Sequence, residues 1–250
     1  FYFIIKNKKC VTNSEEIMKK LPLFSILILA FAFQNATAQL DKLAVKFNTG
    51  MSFSKPGDDL GEVADKGKAM QLFASLEGSY HVNYTKNTKF GFKGAAVLGQ
   101  DWANFLAADR STELKVAVTS AKLRVYPLSY DGHIDDGLEQ LLPGDLPLIA
   151  QIPVYIGIYS VFNSLHFDYG VGAGKILETD YAGIGFQDET VKRTMKYFGW
   201  GFQPQIFQSD SEKWSCNAVF DFGKYSWKNA NGGTSSFKSN HVGFGVQYNF

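Results

Sequence analysis

Cysteine, proline, histidine, net charge and long apolar runs are all scarce in this chain, and each shortage removes a class of protein. There are 2 Cys in 250 residues. Cys10 lies ahead of a leader-like segment, so Cys216 would stand alone after its removal, which excludes an intramolecular disulfide framework. No Cys follows the apolar part of that leader, so a lipid-anchored protein is not indicated. With only 7 Pro, long stretches lack the residue that interrupts β-ladders. Lys and Arg number 25 against 24 Asp and Glu. That is far from the basic excess that neutralises a phosphate backbone, and no nucleic-acid partner is expected. Nowhere past the leader is there an apolar run of the ~18 residues that a membrane-crossing helix needs.

The leader begins at Met18. Lys19 and Lys20 form a positive start, Leu21 to Phe33 an apolar stretch, and Ala36-Thr37-Ala38 a small-x-small cleavage site before Gln39. This order is that of a secretory signal peptide, too short in its apolar part for a membrane anchor. Residues 1–17 lack an initiator Met and precede a complete signal, so they are expected to be an upstream extension of the gene model. The expected organisation is therefore extension 1–17, signal peptide 18–38 and a mature domain 39–250. Export without disulfides suits a bacterial envelope.

What the chain has in abundance is Phe (22), Tyr (12) and Gly (24). Aromatics favour strands, and glycines let bulky rings on neighbouring strands nest. Alternation then recurs along the whole mature chain. Leu43, Val45, Phe47, Thr49, Met51 and Phe53 oppose Ala44, Lys46, Asn48, Gly50 and Ser52. The same period-2 pattern runs through 70–84, 89–99, 165–175, 197–207, 214–224 and 241–250, which reads as strands with one apolar face. Residues 112–127 are less regular: Leu114, Val116 and Val118 share one face, but Leu123 and Val125 lie on the other. A bulge near Ser120 would bring them into phase.

Short connections are expected near 85–87 and 209–213, and longer polar loops over 54–69, 101–112, 176–191 and 229–238. Short turns at one end and long loops at the other are the habit of outer-membrane barrels. The last ten residues, "HVGFGVQYNF", keep their apolar face (Val242, Phe244, Val246, Tyr248, Phe250) to the final position. This stretch resembles the C-terminal signature of Gram-negative outer-membrane barrels, and the mature chain is similar in pattern to the small porin-like, outer-membrane-protein β-barrel group. The resemblance implies lipid around the barrel and Tyr248 and Phe250 as a signal read by the barrel-assembly machinery. The expected fold is an all-β, antiparallel, transmembrane up-and-down barrel of eight strands. Residues 147–164 ("PLIAQIPVYIGIYSVFNS") either extend the following strand, pair with 181–187 to make ten strands, or form part of a periplasmic connector with 128–146. The soluble competitor is a secreted lipocalin-like carrier whose apolar face points inward to a ligand. Its weakness is the opposite face, which is too rich in Gly, Ser and Asn for an exposed soluble surface.

A barrel of eight strands has an interior that side chains just fill, so a plugged polar lumen is expected. The inward face contributes Lys46, Glu77, His81, Lys93, His166, Asp168 and Asp221. Glu77 and Lys93 are expected to pair, on the assumption that a three-residue turn near 85 sets Lys93 opposite Glu77 or Ser79. A buried charge without a partner is costly, so this set reads as a structural salt-bridge core before it reads as a proton or ion relay. Of the 4 His, His241 beside Ser239 is the nearest to a lipid-hydrolase base, placed at the membrane edge, and no G-x-S-x-G occurs. Asp131, Asp135 and Asp136 in "DGHIDDG" lack the ligand spacing of a calcium loop. The glycines of "GVGAGK" (170–175) read as packing. No cofactor, metal or catalytic residue is expected. The address is the outer membrane, and the role is structural, surface-binding or that of a minor pore.

Overall fold

In the computed structural model, residues 42–57, 69–106, 112–130, 161–180, 187–228 and 232–250 are described. The expected extension and signal peptide (1–38) lie outside them, as do His133, the three Asp of 131–136 and most of 147–164. Nine strand segments occur: β1 (Leu43–Pro56), β2 (Ala69–Asn83), β3 (Phe90–Leu106), β4 (Thr112–Tyr130), β5 (Leu165–Asp180), β6 (Gln187–Phe202), β7 (Gln205–Gln208), β8 (Trp214–Lys228) and β9 (Thr234–Asn249). Every pairing is antiparallel and joins chain neighbours, except that β6 pairs with β8 and β1 closes against β9.

Nine segments make eight staves. β6 lies along Phe220–Ser226 of β8, and the four-residue β7 lies along Ser215–Asn217 of the same strand. They are one stave interrupted at Gln203–Pro204, where Pro cannot donate to the ladder. β4 pairs directly with β5 from Thr112 to Val125, which leaves no place between them for an extra hairpin. The eight-stave expectation holds and the ten-stave alternative does not.

The ring is staggered. From Leu123, partners lead one way through Ala96, Gly78, Val45 and Tyr248 to Trp214. The other way they lead through Tyr169 and Phe198 to Lys224 of the same strand. That ten-residue offset is the shear of the barrel, and it requires strands tilted by about 35–45°.

Over most of the wall the faces are those of a membrane barrel. Phe47, Met51, Leu72, Leu76, Leu98, Leu123, Phe167, Phe198, Trp200 and Phe244 point out and are exposed, while Lys46, Glu77, Arg124, His166 and Asp168 point in and are buried. At the loop end the pattern inverts. Phe105, Leu114, Val116, Val118, Met195, Tyr225 and Phe237 fill the interior as an apolar core, while Lys115, Thr119, Thr194 and Lys196 point out. Tyr225 stacks on Phe237 at 5.1 Å, and Phe105 meets the same ring edge-on at 5.9 Å.

This inversion corrects two expectations. No bulge occurs near Ser120: β4 keeps one register against β3 from Glu113 to Tyr126. Leu114, Val116 and Val118 are simply inward, because that part of the interior is apolar. The loops expected over 54–69, 101–112, 176–191 and 229–238 are also shorter, since the strands run on to Pro56, Leu106, Asp180 and Lys228 and resume at Ala69, Thr112, Gln187 and Thr234. Strands of 14 to 19 residues exceed the ~9–11 that a bilayer requires, and the surplus extends the barrel beyond the apolar belt.

Glycines sit where rings need room. Gly199 and Gly223 are cross-strand partners, and Tyr197 lies across both, so that a Cβ on Gly223 would fall 2.1 Å from its hydroxyl oxygen. Gly223→Val is expected to cost about 1–3 kcal/mol by overpacking, read as a lower urea midpoint of the refolded barrel. An unchanged midpoint would mean that Tyr197 can move aside freely. Gly170 and Gly174 likewise face the Lys122 backbone and the Met195 side chain, which supports packing for "GVGAGK".

Candidate functional site: a closed polar lumen

Eight charged side chains other than His are buried among the described residues: Lys46, Lys93, Lys122 and Arg124 against Glu77, Asp101, Asp168 and Asp221. Cations and carboxylates balance. Alternation alone carries each into the lumen, since each is flanked in sequence by residues of the outer face.

Arg124, midway along β4, is the hub. Its Nε and Nη2 donate to the two oxygens of Asp168 at 2.7 and 2.8 Å. Nη1 donates to Glu77 at 3.0 Å, and Nη2 also reaches Asp221 at 2.9 Å. One planar guanidinium thus joins carboxylates from β2, β5 and β8, a geometry that Lys could not supply. Tyr126, two residues on, donates to Glu77 at 2.8 Å, and the Lys46 ammonium lies 3.4 Å from the same carboxylate. Gln203, carried inside by the β6–β7 break, accepts from Lys46 and donates to Asp221 at 3.2 Å. His166 donates from Nδ1 to the Ser164 carbonyl at 3.0 Å, with Nε2 3.2 Å from Asp221.

Glu77 and Lys93 do not pair as expected. The β2–β3 hairpin sets Lys93 opposite His81 and Glu77 opposite Val97. The reason is the turn: Tyr84 bonds Phe90 and Thr88 bonds Thr85, so the reversal takes more residues than the three assumed, and the register slides. Glu77 is held by Lys46, Arg124 and Tyr126, while Lys93 rests 4.0 Å over the Tyr126 ring. His81, also inward, shares a 2.8 Å contact with Ser129. The seven expected lumen residues all face inward. Arg124, Tyr126, Gln203, Asp101 and Lys122 were not singled out, although the outward Leu123 and Val125 already imply that Lys122, Arg124 and Tyr126 face in.

A second knot lies nearer the loops. Asp101 takes the Tyr225 hydroxyl, lies 3.7 Å from Lys122, and approaches His241 Nε2 at 2.6 Å. His241 is therefore inside the lumen, stacked on Phe73 at 4.3 Å, and not at the membrane edge, because β9 turns odd-numbered residues from Phe237 to Gly245 inward. Ser239 lies 3.0 Å from that same Nε2. A nucleophile–base–orienter relay uses the two different ring nitrogens, so Ser239, His241 and Asp101 do not form one, and lipid cannot reach them.

His166, Asp168 and Asp221 bring ligand atoms within 4.8 Å of one another. The Arg124 fork already lies on both carboxylates and supplies the positive charge that an ion would bring. Below the network, a polar vestibule of about 330 Å³ opens at the turn end, bounded by Lys42, His81, Lys93, Asn163, Lys213 and Asn249. Its inner lining includes Lys93, His81 and Asn217.

No protein-family model matches the chain, and no curated protein does. Among solved structures, it is similar to Neisserial surface protein A at 10% identity, covering 83% of this chain and 97% of that one, with a TM-score of 0.37. The attachment invasion locus protein Ail of Yersinia pestis is 13% identical, with 83% and 99% covered and a TM-score of 0.41. The translocator domain of the autotransporter NalP from Neisseria meningitidis is 11% identical, with 90% and 96% covered and a TM-score of 0.35. Likenesses this distant say nothing of activity, and the fold rests on the closed ring of pairings itself.

Proposed function

We propose that this chain is an integral outer-membrane β-barrel with a closed lumen, a structural or surface-binding component of the envelope and not an open pore. The observation that carries this reading is a continuous exposed apolar belt around a ring whose interior holds paired charges. In water that belt would be unsatisfied, whereas in lipid a closed barrel satisfies every backbone group. Both chain ends of the barrel and the turns at 84–89 and 209–213 share one end, which faces the periplasm. The loops between β1 and β2, β3 and β4, β5 and β6, and β8 and β9 face outward and carry whatever recognition occurs. Reading of β9, with Tyr248 and Phe250, by the assembly machinery belongs to the same proposal. A lipocalin-like carrier would need the apolar face inward along the whole wall, and here only the loop end has it. A lipid hydrolase would need its base within reach of lipid, and His241 is buried.

Cells expressing residues 18–250 are expected to yield the protein in the outer-membrane fraction, with gel mobility that shifts on boiling. Purified into planar bilayers, it is expected to carry no steady current. Recovery as soluble protein would overturn the membrane reading, and a steady ohmic conductance would overturn the closed lumen.

A further inference from the structure

Above the apolar belt, on the loop side, the outer wall carries Lys55, Lys175, Lys192, Lys196, Lys224 and Lys238, all exposed. Each is flanked along its strand by inward residues: Lys196 lies between Met195 and Tyr197, Lys224 precedes Tyr225, and Lys238 follows Phe237. Alternation therefore fixes them outward. Register brings them together. Lys224 lies directly opposite Lys238, and Lys238 opposite Lys55, so three lysines stand in one row across β8, β9 and β1. Lys175 lies directly opposite Lys192 on β5 and β6. Lys196 faces Ser226, one outward step from Lys224.

Like charges directly opposite on a sheet face destabilise it, and none of these six has a carboxylate partner among the described residues. The outward acid Glu113, on the neighbouring strand β4 opposite Thr179, is engaged by Asn104 and Lys115. Toward the turn end on the same strands come Phe53, Phe198 and Phe222, next to Lys55, Lys196 and Lys224, and further along Tyr169 and Val242, the upper rows of the belt. The lysines thus occupy the plane where headgroups of the surrounding leaflet lie.

We propose that this lysine arc, from β5 through β6, β8 and β9 to β1, binds the phosphate groups of lipids in the leaflet at the loop end. The inference rests on the membrane reading above and adds a headgroup chemistry to it. Lysine stems lie along the belt and carry their ammonium groups to the interface, where anionic headgroups hold them. A phosphate monoester, with up to two charges and three acceptor oxygens, can bridge two opposed ammonium groups and so relieve the Lys224–Lys238 and Lys175–Lys192 repulsions. A second side of the wall, β2 to β4, has no such arc among the described residues, so the bound lipids are expected to be asymmetric around the barrel.

The test uses the barrel refolded into phosphatidylcholine vesicles containing a minor fraction of phosphatidic acid or, in parallel, of oleic acid. Lipid co-purifying with the protein after mild detergent extraction is then quantified by mass spectrometry. The wild type is expected to enrich phosphatidic acid at least tenfold over its vesicle fraction and oleic acid far less. The variant K196Q/K224Q/K238Q is expected to lose most of that enrichment, while K86Q/K89Q at the turn end keeps it. Equal enrichment in wild type and the triple variant, or enrichment of oleic acid as strong as of phosphatidic acid, would overturn the proposal. So would inorganic phosphate displacing the bound lipid at concentrations near those of the lipid itself. Proteolytic protection and heat-modifiable mobility in plain phosphatidylcholine vesicles report insertion separately, so failure there is failure of the membrane reading and not of the arc.

Discussion

Arg124→Met is expected to lower the stability of the barrel by about 3–5 kcal/mol, the cost of removing one partner from a buried ion network. Asp168 is the reason for a value at the upper end. Both of its hydrogen bonds come from Arg124, whereas Glu77 keeps Lys46 and Tyr126 and Asp221 keeps Gln203. The variant leaves the Asp168 carboxylate buried in the lumen without the donor of either bond. Urea titration in vesicles, followed by the fluorescence of the 4 Trp, gives the midpoint. The double variant Arg124→Met, Asp168→Leu should recover part of the loss, because an apolar pair replaces an orphaned charge. Arg124→Lys should fall between, since an ammonium restores the charge but not the fork. A loss below about 1 kcal/mol, the ceiling for an exposed ion pair, would mean that water fills the lumen and screens the network, and the closed-lumen reading would fail with it.

Leu76→Arg and Phe244→Arg carry the second large effect. Both side chains point outward in the middle of the belt and are 50% and 59% exposed. In a soluble protein such substitutions fall within about ±0.5 kcal/mol. At the bilayer midplane an Arg on the lipid face costs about 2–4 kcal/mol, falling to about 0–1 near the interfaces. Thr194→Arg, outward but above the belt, is therefore the internal control and is expected to be near neutral. The ratio between belt and control positions distinguishes a lipid-facing wall from a solvated one. Equal small effects at all three sites would return the soluble carrier to contention.

The two predictions draw on parts of the chain that differ in how much the sequence reveals. The phase of β1, β2, β5, β8 and β9 within the belt was legible, because one face is uniformly apolar and the pleat has a period of two. Glu77, His166, Asp168 and Asp221 could be placed in the lumen from that alone. β4 was not legible in the same way. Its inward face is polar at Lys122 and Arg124 and apolar at Leu114, Val116 and Val118, so a rule that equates apolar with outward demands a bulge that does not exist. On the membrane reading proposed above, the inversion follows from strands that rise past the bilayer, where the outer wall meets water and the apolar side chains pack inward.

Partners inside the lumen were the least legible. Alternation gives the side a residue faces but not its height, and height depends on register, which the β2–β3 turn altered by a few residues. That shift moved Lys93 away from Glu77 and left the latter to Arg124. Gln203 depended on a break in a stave, and the lysine arc on pairing across four strand boundaries. The sequence by itself determined the belt, the faces of β1, β2, β5, β8 and β9, and the inward side of Lys46, Glu77, Lys93, Asp168 and Asp221, because these follow from local period and composition. Only the tertiary structure decided which charges meet, because antiparallel register and a shear of ten set neighbours that lie far apart in the chain, 157 positions for Lys46 and Gln203 and 187 for Ser52 and Ser239.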